Sequence, residues 1–128
     1  MKVITPAEKI IATVKCPASK SYTNRALLIA ALAKGTSTLR NPLFSDDTKY
    51  MRMALEQFGI PVKQEDCAFI VSGTGGHIQC PRNEISIGLA GTTMRFLTTF
   101  AALSPGTTQL TREKRMLERP ISDLLTAL

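Results

Sequence analysis

Two stretches of this 128-residue chain repeat one another at a distance of 71 positions. Ala30-Ala31-Leu32, Gly35-Thr36 and Leu39 return as Ala101-Ala102-Leu103, Gly106-Thr107 and Leu110. Each copy is followed by a polar linker and a second helical pattern ending in Ala-Leu, at Ala54-Leu55 and at Ala127-Leu128. Self-similarity of this kind points to a duplicated strand-helix-strand-helix unit. Chance matching of small apolar residues is the alternative, and the sequence alone leaves it open. The second copy lacks the hairpin that follows the first. Its apolar stripe of Ile121, Leu124, Leu125 and Leu128 reaches the last residue without a Gly, Pro or basic stop. The expectation is a fragment cut inside a larger protein.

The local patterns fill in this unit. Lys2 to Thr5 and the β-branched run Ile10 to Lys15 read as strands. A helix is expected from about Tyr22 to Lys34, stopped by Gly35, and its middle, Ala26 to Ala33, is apolar all round, which predicts burial on every side. Thr36 to Arg40 suits a strand. Ser45, Asp46 and Asp47 supply the N-cap and acidic first turn of a helix reaching Phe58. Val62 to Glu65 and Ala68 to Ser72 form a hairpin, and Gly73, Gly75 and Gly76 a turn. Ile85 to Ile87 is a short strand, Gly91 opens a helix ending near Leu103, Thr107 to Thr111 is a strand, and a last helix begins at Pro120. The fold class is α+β.

Composition narrows the partners. With 44% hydrophobic and 20% charged residues the chain is globular rather than disordered. Sixteen Lys and Arg against ten Asp and Glu give a net charge of +6, which favours anionic partners. Two Tyr, five Phe and no Trp are a thin supply of stacking platforms, so a nucleic-acid module is disfavoured. Cys16, Cys67 and Cys80 are an odd, widely spaced set with only His77 to join them, so neither a disulfide framework nor a metal site is expected. No apolar run has membrane-spanning length, and Pro6, Glu8 and Lys9 interrupt any signal-peptide core. A cytoplasmic protein is the expectation.

The informative charges stand in the wrong electrostatic place. A helix start carries partial positive charge and favours Asp or Glu. Yet Lys20 and Arg25 flank the first helix start, Arg95 lies near the third, and Arg119 precedes Pro120 at the fourth. An anion there would meet free backbone N–H groups and a guanidinium fork together. The bland alternative is that each Arg extends into water. Gly91, in Gly91-Thr92-Thr93, would let the backbone approach a ligand, or would serve a tight turn with positive φ. Gly73 to Gly76 has no following helix or Lys-Ser/Thr, and reads as a turn rather than a phosphate loop. The basic run Arg112 to Arg119 reads on charge alone as a solvated connector.

Four motifs occur in order: Pro17-Ala18-Ser19-Lys20-Ser21-Tyr22-Thr23-Asn24-Arg25, Ser45-Asp46-Asp47, Ala90-Gly91-Thr92-Thr93-Met94-Arg95, and Arg115-Met116-Leu117-Glu118-Arg119-Pro120-Ile121. Together they resemble the N-terminal part of the 5-enolpyruvylshikimate-3-phosphate synthase family, over nearly the whole chain from about Lys15. The sister family acting on a UDP-amino sugar shares the fold, and is not expected to carry the Ser-Lys-Ser-x-x-x-Arg run.

The resemblance implies an inside-out prism of β-α-β-α-β-β units with helices inside, of which residues 1–128 would hold one unit and part of a second. They would form part of an N-terminal domain, with the C-terminal domain absent. It implies a 3-phosphoshikimate 1-carboxyvinyltransferase of the shikimate pathway. The enolpyruvyl group of phosphoenolpyruvate passes to the 5-hydroxyl of shikimate 3-phosphate, and phosphate is released. No metal or organic cofactor is implied, and the expected partners are these two anionic substrates, with no nucleic acid or membrane and a monomer at full length. By resemblance Lys20 contacts phosphoenolpyruvate, Ser21 and Arg25 hold shikimate 3-phosphate, the Gly91 backbone lines the phosphoenolpyruvate pocket, and Arg119 grips that substrate. The acid-base carboxylates would lie in the absent domain, so no catalytic residue is assigned and the chain alone is expected to be inactive. Its behaviour alone would be that of an anion-binding domain. Leu89 and Phe96 depart from the family's common Asn and Pro.

Overall fold

Three sharp stops and starts in the sequence set the helices. In the computed structural model, which describes residues 9–116 and 118–128 together with Val3 and Pro6, helix α1 spans Lys20–Leu32. Ser19 caps it, accepting from the Tyr22 N–H, while Thr23 Oγ1 donates back to the Ser19 carbonyl at 2.9 Å. Ala33 turns extended and leads into strand β1, Lys34–Arg40. Helix α2, Asp46–Gln57, starts in a capping box between Ser45 and Thr48, with Asp46 and Asp47 on its positive end. Gly59, at φ 80°, then reverses the chain as only glycine does freely. Strands β2, Val62–Glu65, and β3, Ala68–Thr74, follow as the expected hairpin. Strand β4, Ile85–Ser86, helix α3, Gly91–Ala101, and strand β5, Leu110–Thr111, form the second unit. A 3₁₀ turn at Lys114–Met116 and helix α4, Ser122–Ala127, complete it.

The first unit closes as an antiparallel sheet in the order β1-β3-β2, with Leu39 opposite Phe69 and Val62 opposite Val71. In the second, β4 and β5 are parallel, Ile85 opposite Leu110, and α3 makes the crossover between them. The mixed α/β architecture therefore matches the expectation: the first unit from α1 onward, then part of another. The starts of α1 and α3, Lys20 and Gly91, stand 71 positions apart, the period of the sequence repeat.

One core joins the two units. Leu27 of α1, Met51, Ala54 and Leu55 of α2, Phe69 and Val71 of β3, and Leu97 of α3 are buried in it. Helix α1 lies so close to β3 that the strand supplies partners for its terminal carbonyls. The Gly75 N–H donates to the Ala33 carbonyl at 2.8 Å and Thr74 Oγ1 to that of Ala31 at 3.3 Å. Gly73 permits this approach, because a Cβ there would overlap the Ala33 and Ala30 carbonyl oxygens. The expected turn at Gly73 to Gly76 is thereby corrected in part: Gly73 and Thr74 continue β3 beyond Ser72, and only Gly75 and Gly76 turn.

Several expectations are corrected. Ile10 to Lys15 forms no strand; Ile10 and Ile11 stand about four-fifths exposed, at 81% and 82%, because no strand among the described residues lies alongside to share hydrogen bonds. The strand expected at Lys2 to Thr5 lies outside the described residues. Helix α1 is not buried on every side: Tyr22 and Ile29 are 76% and 70% exposed, since sheet and helices cover only the face carrying Leu27 and Ala31. Helix α4 begins at Ser122 rather than Pro120, is six residues long and buries none of them. Among the described residues no helix is long and apolar enough to cross a membrane, and the three cysteines are free thiols.

The α1–β3 contact yields a stability prediction. Gly73→Ala should destabilise the fold by about 1–3 kcal/mol, since backbone rather than a pliable side chain must yield, lowering the melting temperature by roughly 5 °C or more. A melt indistinguishable from wild type would show that β3 does not need this approach.

Candidate functional site

The starts of α1 and α3 meet at one end of the core. The start of α1 is anchored through Thr23, whose Oγ1 accepts from the Leu43 N–H at 2.9 Å. The start of α3 has no side-chain cap and no acid in its first turn, so its first N–H groups are open to a ligand. Between these ends lies an open cleft of about 570 Å³, lined by Ser21 and Arg25 from α1 and by Gly91, Arg95 and Phe96 from α3. Arg112, Met116 and Arg119 from the segment after β5 complete it. Among the described residues, four guanidinium groups and no carboxylate line this cleft.

Each cation is held differently. Arg25 lies over the Phe96 ring, its Cζ 5.4 Å from the centroid, so one family departure gives the guanidinium a surface to rest on. Arg95 Nη2 donates to the Pro120 carbonyl at 2.7 Å, which draws the connector onto α3. Arg119 is placed by that fold-back. A Cβ on Gly91 would sit 2.8 Å from Arg119 Nη1 and 3.3 Å from Met116 Cε. The guanidinium therefore covers the first residue of α3.

Four of the five residues singled out in the sequence, Ser21, Arg25, Gly91 and Arg119, share the cleft. Lys20 does not line it; its Nζ pairs with Asp47 Oδ1 of α2 at 3.3 Å. The reason given for Arg119 is corrected: it is separated from the short α4 by Pro120 and Ile121, and its electrostatic partner is the start of α3. The alternative for Gly91, a turn at positive φ, is also set aside, because Gly91 is the first helical residue and the left-handed position in this turn belongs to Gly88, at φ 51°. Leu89 lies outside this cleft, half exposed in an adjoining hollow that shares Arg119.

Sequence reasoning missed Arg112. Within a run of four bases and two acids it reads as connector, and only its position directly after β5 brings it to the cleft. It missed Asn24 and Thr93 as well, both fully buried between the helices. Their signal was a polar residue inside an otherwise apolar helical face.

Comparison with known proteins gives a consistent result. The family described as EPSP synthase (3-phosphoshikimate 1-carboxyvinyltransferase) matches over residues 4–128. The 3-phosphoshikimate 1-carboxyvinyltransferase of a Nostoc species is 50% identical over 119 residues, covering 91% of this chain and 28% of that protein. The one from Rhizobium leguminosarum bv. trifolii is 43% identical over 129 residues, covering all of this chain and 30% of the relative. The solved EPSP synthase of Acinetobacter baumannii superposes with a TM-score of 0.82 at 23% identity, over 88% of this chain and 26% of that one. The chain thus spans under a third of the length of these relatives, and by the match over nearly all its residues it belongs to the EPSP synthase family.

Proposed function

We propose that this chain contributes the N-terminal half-site of an enzyme that transfers the enolpyruvyl group of phosphoenolpyruvate to the 5-hydroxyl of shikimate 3-phosphate. The observation that carries the reading is the cleft itself, which Arg25, Arg95, Arg112 and Arg119 line together with the uncapped start of α3, with no acid among its described lining residues. Cations gathered in one hollow suit small polyanions better than the long backbone of a nucleic acid, which would need a basic face. Ser21 and Arg25 are assigned to shikimate 3-phosphate, Gly91 and Arg119 to phosphoenolpyruvate. Lys20 is assigned to phosphoenolpyruvate as well, and must exchange Asp47 for the substrate to reach it.

In this reading the chain positions charge and does not move protons. Fixed guanidinium groups and backbone N–H groups hold two mutually repelling anions together and offset the charge of the tetrahedral adduct formed when the 5-hydroxyl oxygen bonds to the enolpyruvyl carbon. In that addition the hydroxyl loses its proton and the methylene carbon gains one; when the carbon–oxygen bond to phosphate breaks, the methyl group gives a proton up, so the double bond is restored as phosphate leaves. General acid-base work needs a group that titrates near neutral pH within reach of the reacting atoms, and the described residues lining the cleft include no Asp, Glu, His, Lys, Tyr or Cys. The remaining domain of a longer protein is assigned that work. The exposed face of α1 at Tyr22 and Ile29 supports a missing neighbour. The chain by itself is then an anion binder without turnover, and three free thiols fit a cytoplasmic setting.

Titrating the chain with shikimate 3-phosphate should move backbone amide signals at Ser21 and Arg25, more weakly as salt is added. Shifts centred on Gly75 and Gly76 would relocate the site. Phosphate release by the chain alone should stay at background, and clear turnover would show that the proton-moving groups lie within it. In the complete protein, Arg119→Ala should lower kcat/KM roughly tenfold to a hundredfold, the range of a charge-assisted contact; unchanged kinetics would remove Arg119 from the site.

Gly91→Ala separates steric from global effects. The new methyl would push the Arg119 guanidinium aside, raising KM for phosphoenolpyruvate while KM for shikimate 3-phosphate changes little. The melting temperature should hold or rise, because Ala is favoured over Gly at a helical φ and ψ. A lowered melting temperature with both KM values unchanged would assign Gly91 to the backbone turn alone.

A further inference from the structure

Asn24 and Thr93 are fully buried, and they meet where α1 crosses the start of α3. Thr93 Oγ1 donates to the Asp47 carbonyl of α2 at 3.0 Å, and Asn24 Nδ2 reaches Thr93 Oγ1 at 3.5 Å. The direction of this chain of contacts is fixed by chemistry. A carbonyl only accepts, so the single Thr93 hydroxyl proton goes to Asp47, and Thr93 Oγ1 can only accept from Asn24. Reversing the Asn24 amide would set two acceptors face to face. Its Oδ1 is consequently turned away from Thr93, and although buried it has no hydrogen-bond partner among the described residues.

A buried acceptor that no described protein group satisfies adds nothing to stability that an apolar group would lack. An apolar pair of the same shape would fill the space at least as well. What the polar pair supplies is direction. It ties α1 to α3, and through the Asp47 carbonyl ties both to α2, at the end of the core where the cleft opens. Asn24 adjoins Arg25, Thr93 is two residues from Gly91, and the Asp47 carboxylate holds Lys20. Of the residues assigned above to a substrate, Ser21, Arg25 and Gly91 thus lie within three positions of this network, and Lys20 pairs with the side chain of its Asp47.

We propose that Asn24 and Thr93 are positioning residues, which set the spacing between the α1 end that holds one anionic substrate and the α3 end that holds the other. This rests on the EPSP synthase reading. Two bound substrates must meet at near-contact distance, and a misplacement of about 1 Å can cost on the order of a hundredfold in rate. Binding of either substrate alone is far less sensitive to the distance between the two ends.

The double variant Asn24→Leu/Thr93→Val in the complete protein tests this, because it removes both partners together and leaves no orphaned acceptor. The Asp47 carbonyl keeps its own helical donor four residues on. The expected result is an unchanged or raised melting temperature, KM for each substrate within about threefold of wild type, and kcat lowered at least about tenfold. A kcat within twofold of wild type in the folded variant would overturn the proposal, as would a rate loss matched by a proportional loss of folded protein. If the double variant does not fold, Thr93→Val is compared with Thr93→Ser. Serine keeps the hydroxyl and should recover the rate lost with valine, and equal rates for the two would overturn the proposal. Wild-type protein assayed in parallel separates the two layers. Absence of enolpyruvyl transfer by wild type refutes the functional reading, and the positioning claim is then judged on inorganic phosphate, whose titration should shift the Arg25 and Gly91 amides together in wild type and not in the double variant. Identical titrations would overturn it.

Discussion

Helix α2 is the wall on which both anion-facing helices are built. Met51, Ala54 and Leu55 are fully buried, and Phe58 just beyond its end meets Phe100 of α3 edge to face, with centroids 5.2 Å apart. Because α1 and α3 pack on the same wall, one turn near each start comes into contact, at Asn24 and Thr93. The cleft follows from that convergence. Its position is set by apolar burial, and only its lining is set by charge.

That lining opposes stability. Guanidinium groups gathered without a carboxylate repel one another, and the protein offsets part of the cost locally. Arg25 rests on the Phe96 ring and Arg95 is tied to the Pro120 carbonyl. These two contacts also hold the two groups in place before any ligand arrives, which reduces the ordering that binding must supply. Arg119 is left exposed above Gly91. The contrast with α2 is instructive: its start carries Asp46, Asp47 and a full capping box, the arrangement a helix adopts when stability alone decides. Where α3 lacks both cap and acid, stability has been given up at the place where an anion would restore it.

The legible parts of the sequence were those governed by neighbours along the chain. The Ser45 cap, the hairpin from Val62, the turn at Gly75 and the helix entry at Gly91 are local physics, and the structure has them where the residues put them. The residues that required tertiary information were misread or missed. Ile10 to Val14 has strand composition, but a strand exists only beside another, and none stands there among the described residues. Arg119 was associated with the helix that follows it in sequence, whereas Arg95 binding Pro120 brings it to a helix that precedes it. Arg112 and Asn24 owe their roles to crossings of 20 to 70 residues that no local pattern encodes.

The apolar circumference of α1 resolves in the same terms when the two units are compared. Tyr22, Ala26 and Ile29 correspond, 71 positions on, to Thr93, Leu97 and Phe100. In α3 those three positions are buried at 0 to 4% exposure, because the first unit lies against them. In α1 the equivalent face is open, with Ile29 at 70%, because no unit lies against it among the described residues. Meanwhile α1 buries Asn24 and Leu27 on the face that in α3 carries Arg95 and Thr98, so the first unit meets the second through one face of α1 and a different face of α3. The contact between the two units therefore uses different faces of matching helices: the face of α3 that meets the first unit is buried, and the matching face of α1 is exposed among the described residues, which is why a helix can be apolar on all sides yet half exposed.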